Sequence, residues 1–149
     1  MELKSSLFNL CESFVTEKLQ TITDTIKSNK EALTSETKSS AGDKHETGRA
    51  MLQLEMEKAG QQLSVVNGLQ EQLSKIDVNK VNKKGCLGSL ITTNKFKYFI
   101  AISIGKVTID QENYFVISPN SPIGKLLLGK EKGDSVTFNK DQITIEKVV

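Results

Sequence analysis

The sequence predicts an α+β protein in which a long antiparallel coiled-coil hairpin of two helices precedes a small antiparallel β domain with one short helix. Apolar residues recur at helical spacing through the first half, and β-branched and aromatic runs fill the second half. Between the two helical stretches, residues 39–50 contain no large apolar side chain. We expect the hairpin over residues 1–78 with its tip near 40–48, a linker over 79–84 and the β domain over 85–149.

Each arm of the hairpin carries apolar residues three and four positions apart, as in a helix with one buried face. The first arm has Leu3, Leu7, Leu10, Phe14, Val15, Leu19, Ile22, Ile26 and Leu33, and the second has Leu52, Met56, Ala59, Leu63, Val66, Leu69, Leu73 and Ile76. The two sets mirror each other about a nearly constant sum of residue numbers, which an antiparallel pair requires. The pattern therefore predicts a hairpin that folds near Gly42 within one chain, and a monomer.

The β domain is predicted from runs of Ile, Val, Tyr, Phe and Thr separated by turn residues. The runs are KYFIAISIGKVTI, NYFVIS, SVTF and ITIEKVV, from which we expect four or five antiparallel strands. One short helix interrupts them: Ser121 is suited to cap its start, Pro122 to be its first residue, and Gly129 to end it in a left-handed conformation.

Composition excludes several classes of protein. The net charge is +2, and residues 1–84 hold twelve basic and twelve acidic residues, so a strongly basic nucleic-acid surface is not expected. No apolar run is long enough to span a membrane and the N-terminal segment contains Glu2 and Glu12, which predicts a cytoplasmic protein without membrane contact. Cys11 and Cys86 lie far apart with no CxxC spacing, so we expect two reduced thiols.

The segment SPIGKLLLGKEKGD, following a long hairpin, resembles the Gre family of bacterial transcription elongation factors, which stimulate transcript cleavage. The family bears Ser-Pro-x-Gly-Lys-Ala-Leu-Leu-Gly-Lys, then Gly-Asp. The matching residues here are Ser121, Pro122, Gly124, Lys125, Leu127, Leu128, Gly129, Lys130, Gly133 and Asp134, with Leu126 in place of the usual alanine. At the fold point, residues 42–46 (Gly-Asp-Lys-His-Glu) stand where the family has Gly-Asp-x-x-Glu.

The resemblance implies an FKBP-like C-terminal domain that docks on RNA polymerase at the rim of its secondary channel. The residues carried over for docking are Ser121, Pro122, Gly124 and Lys125. The coiled coil would then enter the channel and approach the 3′ end of the nascent RNA.

At the tip, the resemblance implies that Asp43 and Glu46 are the catalytic, metal-holding residues. They would bind Mg²⁺ transiently within the polymerase active site and help it hydrolyse backtracked RNA. The chain would thus be an accessory factor and not itself an enzyme, with no cofactor bound to the free protein. Delivery of a second metal by one or two carboxylates is consistent with the oxygen ligands that Mg²⁺ prefers.

The tip residues also have a structural interpretation. Asp43 as the N-cap of the second helix, with Glu46 bonding back, would form a capping box, and this is compatible with metal binding. His45 and Arg49 are either exposed by chance or support the tip, Arg49 by contacting phosphate or carboxylate. Gly42 is expected to serve the turn.

Two other functions stay open from the sequence. Residues 47–50 read Thr-Gly-Arg-Ala where the family continues with Asn-Ala-Glu-Tyr, and Gly48 is expected to serve the turn. A channel-binding regulator of transcription that does not promote cleavage is therefore the first alternative. A coiled-coil adaptor unrelated to transcription is the second.

Overall fold

The structure, a computed structural model, describes residues 2–38 and 42–149, and the side chains of residues 2–35 and 47–149. Its elements in chain order are α1 (Glu2–Lys38), α2 (Gly42–Ser74), β1 (Leu90–Thr93), β2 (Lys97–Ile100), β3 (Gly105–Ile109), β4 (Glu112–Ile117), α3 (Pro122–Leu127), β5 (Ser135–Phe138) and β6 (Asp141–Val148). Two long helices followed by a sheet with one short helix confirm the predicted α+β class. The chain divides into two compact units, one of residues 15–70 and one of Met1–Phe14 with Glu71–Val149.

The first unit is the main part of the helical hairpin, formed by α1 of 37 residues and α2 of 33 residues. Its buried apolar side chains are Val15, Ile22, Ala59 and Val66. All four belong to the predicted apolar stripes, so the helical spacing identified the buried face correctly. The stripe of α1 also buries a polar residue, Asn29, which the apolar pattern did not include.

The start of α2 differs from the prediction. The helix begins at Gly42, so Gly48 lies inside it and the prediction that Gly48 serves the turn is wrong. A glycine in a helix interior costs only about 1 kcal/mol, which a long helix with a packed apolar face can offset. Asp43 is the second residue of α2 and not the residue before it. The side chains of residues 36–46 lie outside those described, so the capping contacts of Asp43 and Glu46 remain a prediction.

The second unit contains a sheet in the order β3-β4-β2-β1-β6-β5. The described residues form six strands and not four or five, because KYFIAISIGKVTI divides into β2 and β3 and because β1 was not predicted. Neighbouring strands are antiparallel except β2 and β4, which are parallel. The expectation of an antiparallel sheet is thus wrong for this pair. After β2 the chain passes to β3 at the edge of the sheet and then turns back as β4, which lies between β3 and β2.

Both faces of the sheet are covered. On one face, α3 packs over a cluster of buried side chains made of Ile91, Tyr98, Ile100, Ile117, Ile123, Leu127, Val136, Ile143 and Ile145. Leu90, Phe99, Tyr114 and Val116 are also buried, and strand alternation places them on the opposite face. A six-stranded sheet with two buried faces needs a second layer beyond α3.

The ends of the long helices supply that layer. The amide of Gln72 donates a hydrogen bond to the carbonyl of Ala101, and a Cβ placed on Gly88 would lie 3.1 Å from the Ile76 side chain. At the start of α1, Lys4 is fully buried and its ammonium donates to the carbonyl of Lys80 at 2.8 Å. Residues 1–14 and 71–76 therefore belong structurally to the β domain.

Candidate functional site

The predicted docking residues lie together in and just before α3. The Ser121 hydroxyl accepts a hydrogen bond from the Gly124 backbone N–H at 3.1 Å and donates one to the Ser118 carbonyl at 2.7 Å. Pro122 occupies the first turn of the helix, where its missing N–H leaves no bond unmade. Both predictions for the start of α3 are confirmed, and Ser121 serves the fold.

Gly124 is fixed by a close approach of backbone. A Cβ built at this position would lie 2.1 Å from the carbonyl oxygen of Ser118 and 2.8 Å from the Ser121 hydroxyl. No side chain fits at the first of these distances, because the obstacle is a backbone atom held by the cap. Gly124 thus lets the chain before α3 fold back against the helix.

The end of α3 is tied to the start of the β domain. Gly129 has a positive φ of 77°, the left-handed conformation expected from the sequence. Its N–H donates to the Gly85 carbonyl at 2.8 Å, and the Gly85 N–H donates to the Lys130 carbonyl at 2.7 Å. The turn that follows is closed by the Asp134 carboxylate, which accepts from the Glu131 N–H at 2.9 Å.

Three other residues of the segment face solvent. Pro122 and Lys125 are exposed, and Leu128 is exposed although it is apolar. Of the four predicted docking residues, Ser121 and Gly124 therefore shape α3, whereas Pro122 and Lys125 present groups that a partner can touch.

A group of aromatic side chains lies near the β1–β2 turn; their residue types favour a role in the sheet core over a binding surface. Phe96 is 50% exposed, and its ring meets that of Phe115 edge-on with the centroids 5.0 Å apart. Tyr98 lies behind them, with its ring centroid 6.0 Å from that of Phe115. The signal in the sequence is the pattern Lys95-Phe96-Lys97, an aromatic residue between two charges where the predicted β run KYFIAISIGKVTI begins.

Ion pairs hold the strand ends around Phe96. Lys95 pairs with Asp141 at 3.3 Å, joining the β1–β2 turn to β6. Lys97 pairs with Glu112, which also accepts a hydrogen bond from the Tyr114 hydroxyl at 3.2 Å. The hydrogen bond with Lys97 lowers the pKa of Glu112 and raises that of Lys97. These side chains are largely exposed, so solvent screens both pairs.

The tip carries the second set of predicted residues. Asp43 and Glu46 lie three residues apart in the first turns of α2, positions that share one side of a helix. Their side chains, and that of His45, fall outside the described ones. Arg49, one turn further along, is exposed.

The described residues form neither a metal cluster nor a membrane-spanning helix. Among the described side chains, no three His, Cys, Asp or Glu residues come together as a metal site. The side chains of residues 36–46, which include both predicted metal-holding carboxylates, lie outside those described. Neither long helix, over its described residues, is apolar enough to cross a membrane.

The two cysteines are free thiols in different surroundings. Cys11 is buried on the apolar face of α1, and burial, assisted by the charge of Glu12, raises its pKa to about 12. Cys86 is partly exposed and lies 3.3 Å from the Ser89 hydroxyl. Cys11 is therefore an inert core residue.

The geometry defines a class of protein in which a long helical hairpin is joined to a two-sided β domain, with candidate binding groups on α3 and candidate carboxylates at the fold point. Comparison with known protein families gives a more specific result for the β domain. Residues 89–149 match the family model described as "Transcription elongation factor, GreA/GreB, C-term". The β domain therefore matches the C-terminal domain of GreA/GreB transcription elongation factors, and the resemblance to the Gre family is confirmed for this domain.

Comparisons of the whole chain with solved structures and curated proteins are less informative than the family model. A solved structure similar to this one is the crystal structure of GreA factor homolog 1 (Gfh1) protein of Thermus thermophilus, with 16% identity, a TM-score of 0.37 and coverage of 92% of this chain and 93% of that chain. Similarity at this level carries no functional conclusion. No curated protein matches the chain significantly.

Proposed function

We propose that this chain binds RNA polymerase at its secondary channel and stimulates hydrolysis of backtracked RNA through Asp43 and Glu46 at the end of the hairpin. The observation that carries the proposal is the GreA/GreB domain at residues 89–149, joined to two helices whose fold point bears this carboxylate pair. Factors of this family act with RNA polymerase. The polymerase would supply the catalytic centre and this chain an accessory group.

The hairpin has the length for such a role. At about 1.5 Å per residue, the 33 residues of α2 extend over about 50 Å. The carboxylates lie in the first turns of α2, and an apolar stripe that buries Val15, Ile22 and Val66 supports the helices below them. A rod of two helices is narrow enough to enter a channel that would exclude a globular domain.

Asp43 and Glu46 offer the donor set that Mg²⁺ prefers, two carboxylates on one side of a helix. In the polymerase active site they would hold the ion through one or both carboxylates, while its remaining ligands come from the polymerase, RNA and water. An ion held there by Asp43 and Glu46 would supply Lewis-acid activation of the attacking water. His45 and Arg49 would support the tip, Arg49 by contacting phosphate or carboxylate.

The β domain is proposed to dock through the exposed residues of α3. Pro122 and Lys125 are accessible, while Ser121 and Gly124 hold the helix in place. Phe96 is proposed as a further contact, because half of its surface is exposed beside the aromatic ring of Phe115.

The test is RNA release from stalled polymerase complexes over a Mg²⁺ titration, with wild type, Asp43→Asn and Glu46→Gln. Asparagine retains the capping ability of aspartate but lacks its charge, so Asp43→Asn removes metal affinity with little effect on the helix. We expect Asp43→Asn to bind polymerase normally and to lose most stimulation, with partial recovery at high Mg²⁺ by mass action. Glu46→Gln should lose less, because a second carboxylate can act through metal-bound water.

Glu57 supplies the internal control for this experiment, because it is an exposed carboxylate of α2 about three turns beyond the tip. Glu57→Gln removes one negative charge from the same helix and should leave RNA release and its Mg²⁺ dependence unchanged. If Asp43→Asn releases RNA as well as the wild type at every Mg²⁺ concentration, the metal-delivery role is wrong.

A non-cleaving channel regulator is the second candidate function, favoured by the Thr-Gly-Arg-Ala sequence at residues 47–50. It predicts that the wild-type chain binds polymerase and alters transcription but releases no RNA from stalled complexes. The adaptor alternative would show no binding to the polymerase.

A further inference from the structure

The buried stripe of the hairpin contains one polar residue at a position that helical spacing reserves for apolar side chains. Asn29 lies seven residues after Ile22 and four before Leu33, on the same face of α1. Its side chain is 7% exposed. The residue is therefore part of the helix–helix core and not of the solvated surface.

The amide of Asn29 is also incompletely bonded. Its side-chain nitrogen is buried and makes no hydrogen bond within the described part of the chain. Burying a polar group without a partner costs free energy, because the hydrogen bonds it makes to water in the open state are not replaced. Closing the hairpin around Asn29 is thus less favourable than closing it around an apolar residue.

Burial changes at the level of Asn29. In residues 15–28 and 57–70, which we call the base, Val15, Ile22, Ala59 and Val66 are buried. In residues 29–35 and 47–56, which we call the distal section, the only buried side chain is Asn29 itself, within the residues whose burial is described.

The apolar residues of the distal section reach only partial burial or none. Leu33, Leu52 and Met56, which continue the stripes, are partly exposed. Met51 and Leu54 are 62% and 68% exposed. Segments with few buried apolar contacts open at a lower free energy than the rest of a protein.

We propose that Asn29 makes the distal section a separate conformational unit, which opens and closes while the base stays folded. Opening returns the Asn29 amide to water and loses little apolar burial, whereas opening the base would expose its four buried side chains. If the function proposed above is right, this is the section that would enter the polymerase, and a confining channel would favour its closed state. The conformational inference itself does not depend on that function.

Amide hydrogen exchange on the full-length free protein, followed by mass spectrometry, tests the proposal. We expect distal amides to exchange at least about tenfold faster, relative to their intrinsic rates, than those of the base. Asn29→Leu replaces the unbonded amide by an apolar side chain of similar size. It should slow distal exchange about tenfold, equivalent to about 1.4 kcal/mol, and leave the base unchanged.

Two further variants keep the result decisive. Ser28→Ala changes an exposed neighbour on the same helix and should alter neither section. Asn29→Asp places a charge at the same site and should speed distal exchange, which can be measured even if Asn29→Leu aggregates. Equal protection in both sections would overturn the proposal. So would fast distal exchange that responds neither to Asn29→Leu nor to Asn29→Asp, because simple fraying of helix ends would then explain it.

Discussion

In the β domain, several residues of the segment SPIGKLLLGKEKGD (residues 121–134) are fixed by contacts with the backbone. In the hairpin, most positions are constrained only by the spacing of apolar residues along a helix. Ser121 caps α3, Gly124 admits the Ser118 carbonyl, and Gly129 takes a left-handed turn that pairs with Gly85. The hairpin needs an apolar residue every three or four positions, and it even accommodates Asn29 on that face.

This difference explains why the match to a known family model lies in the β domain. A segment in which several residues are required by backbone geometry is specific, and the β domain that contains it matches the GreA/GreB C-terminal model over residues 89–149. A helix fixes few residue types, so the tip can keep Asp43 and Glu46 and still carry a different sequence immediately after them. The family likeness thus rests on the β domain, while the activity of the tip has to be measured.

The largest expected effect comes from separating the β domain from the helix ends. A fragment starting near Lys83 lacks residues 1–14 and 71–76, which cover the sheet face that buries Phe99 and Val116. We expect no cooperative thermal unfolding transition for this fragment. As a control, a chain in which residues 15–70 are replaced by a short Gly/Ser linker should unfold cooperatively. A stable fragment would show that the β domain does not need the helix ends.

The next effect concerns Gly124. Because the added Cβ would meet the Ser118 carbonyl at 2.1 Å, Gly124→Ala should destabilise the protein by about 2 kcal/mol or more. Ser121→Ala should cost about 1 kcal/mol through the lost cap. Lys125→Ala, at an exposed position of the same helix, should stay within about 0.5 kcal/mol of wild type. Chemical denaturation measures all three, and a harmless Gly124→Ala would refute the close-approach argument.

Substitutions in the β3–β4 and β5–β6 turns are expected to stabilise the protein. Gln111 and Lys140 have φ of 70° and 69°, the left-handed region that non-glycine residues occupy at a cost of about 1–2 kcal/mol. Gln111→Gly and Lys140→Gly should each raise stability by up to about 1 kcal/mol, reduced by the extra freedom of glycine in the unfolded chain. Glycine at Lys132, which has no positive φ, is the control and should not stabilise. Lower melting temperatures in both turn variants would contradict the assigned strain.

The smallest effect concerns Glu112. Its hydrogen bond with Lys97 lowers the pKa of the carboxyl in the folded state, so the stabilisation is present above the ordinary pKa of glutamate and is lost as pH falls through the lowered value. Glu112→Gln should therefore lower the melting temperature slightly at pH 7, and the difference from wild type should vanish in strong acid. A difference that stays constant across this range would show that the pair contributes no pH-dependent stability.

Local patterns predicted the parts of the fold that depend on local rules. The spacing of Val15 and Ile22 identified the buried face of α1, and Ser121 and Pro122 marked the start of α3. Strand order was not accessible in this way, because β2 and β4 become parallel neighbours through pairing of residues that are far apart in sequence. A four-residue strand such as β1 (Leu90–Thr93) gives too short a pattern to recognise.

The candidate sites likewise include residues that the sequence identifies and residues that only the three-dimensional contacts reveal. The resemblance to the Gre family identified the α3 segment, but only the structure separates Ser121 and Gly124, which serve the fold, from exposed Pro122 and Lys125. Phe96 could not be ranked from sequence, because its exposure depends on where Phe115 lies in a neighbouring strand. Asn29 was overlooked because a polar residue on an apolar stripe does not alter the helical period.

The most direct test of the account is to measure the polymerase's cleavage of backtracked RNA in the presence of a chain whose hairpin has been lengthened. Inserting seven residues into each arm, within the base, preserves the apolar stripe and moves the fold point by about 10 Å. With stalled polymerase complexes, we expect the wild type to release RNA. The lengthened chain should release almost none while still competing with the wild type for polymerase, because the proposed function assigns docking to the β domain and action to the tip. Unchanged RNA release by the lengthened chain, or none by the wild type, would contradict action at a fixed site in the polymerase.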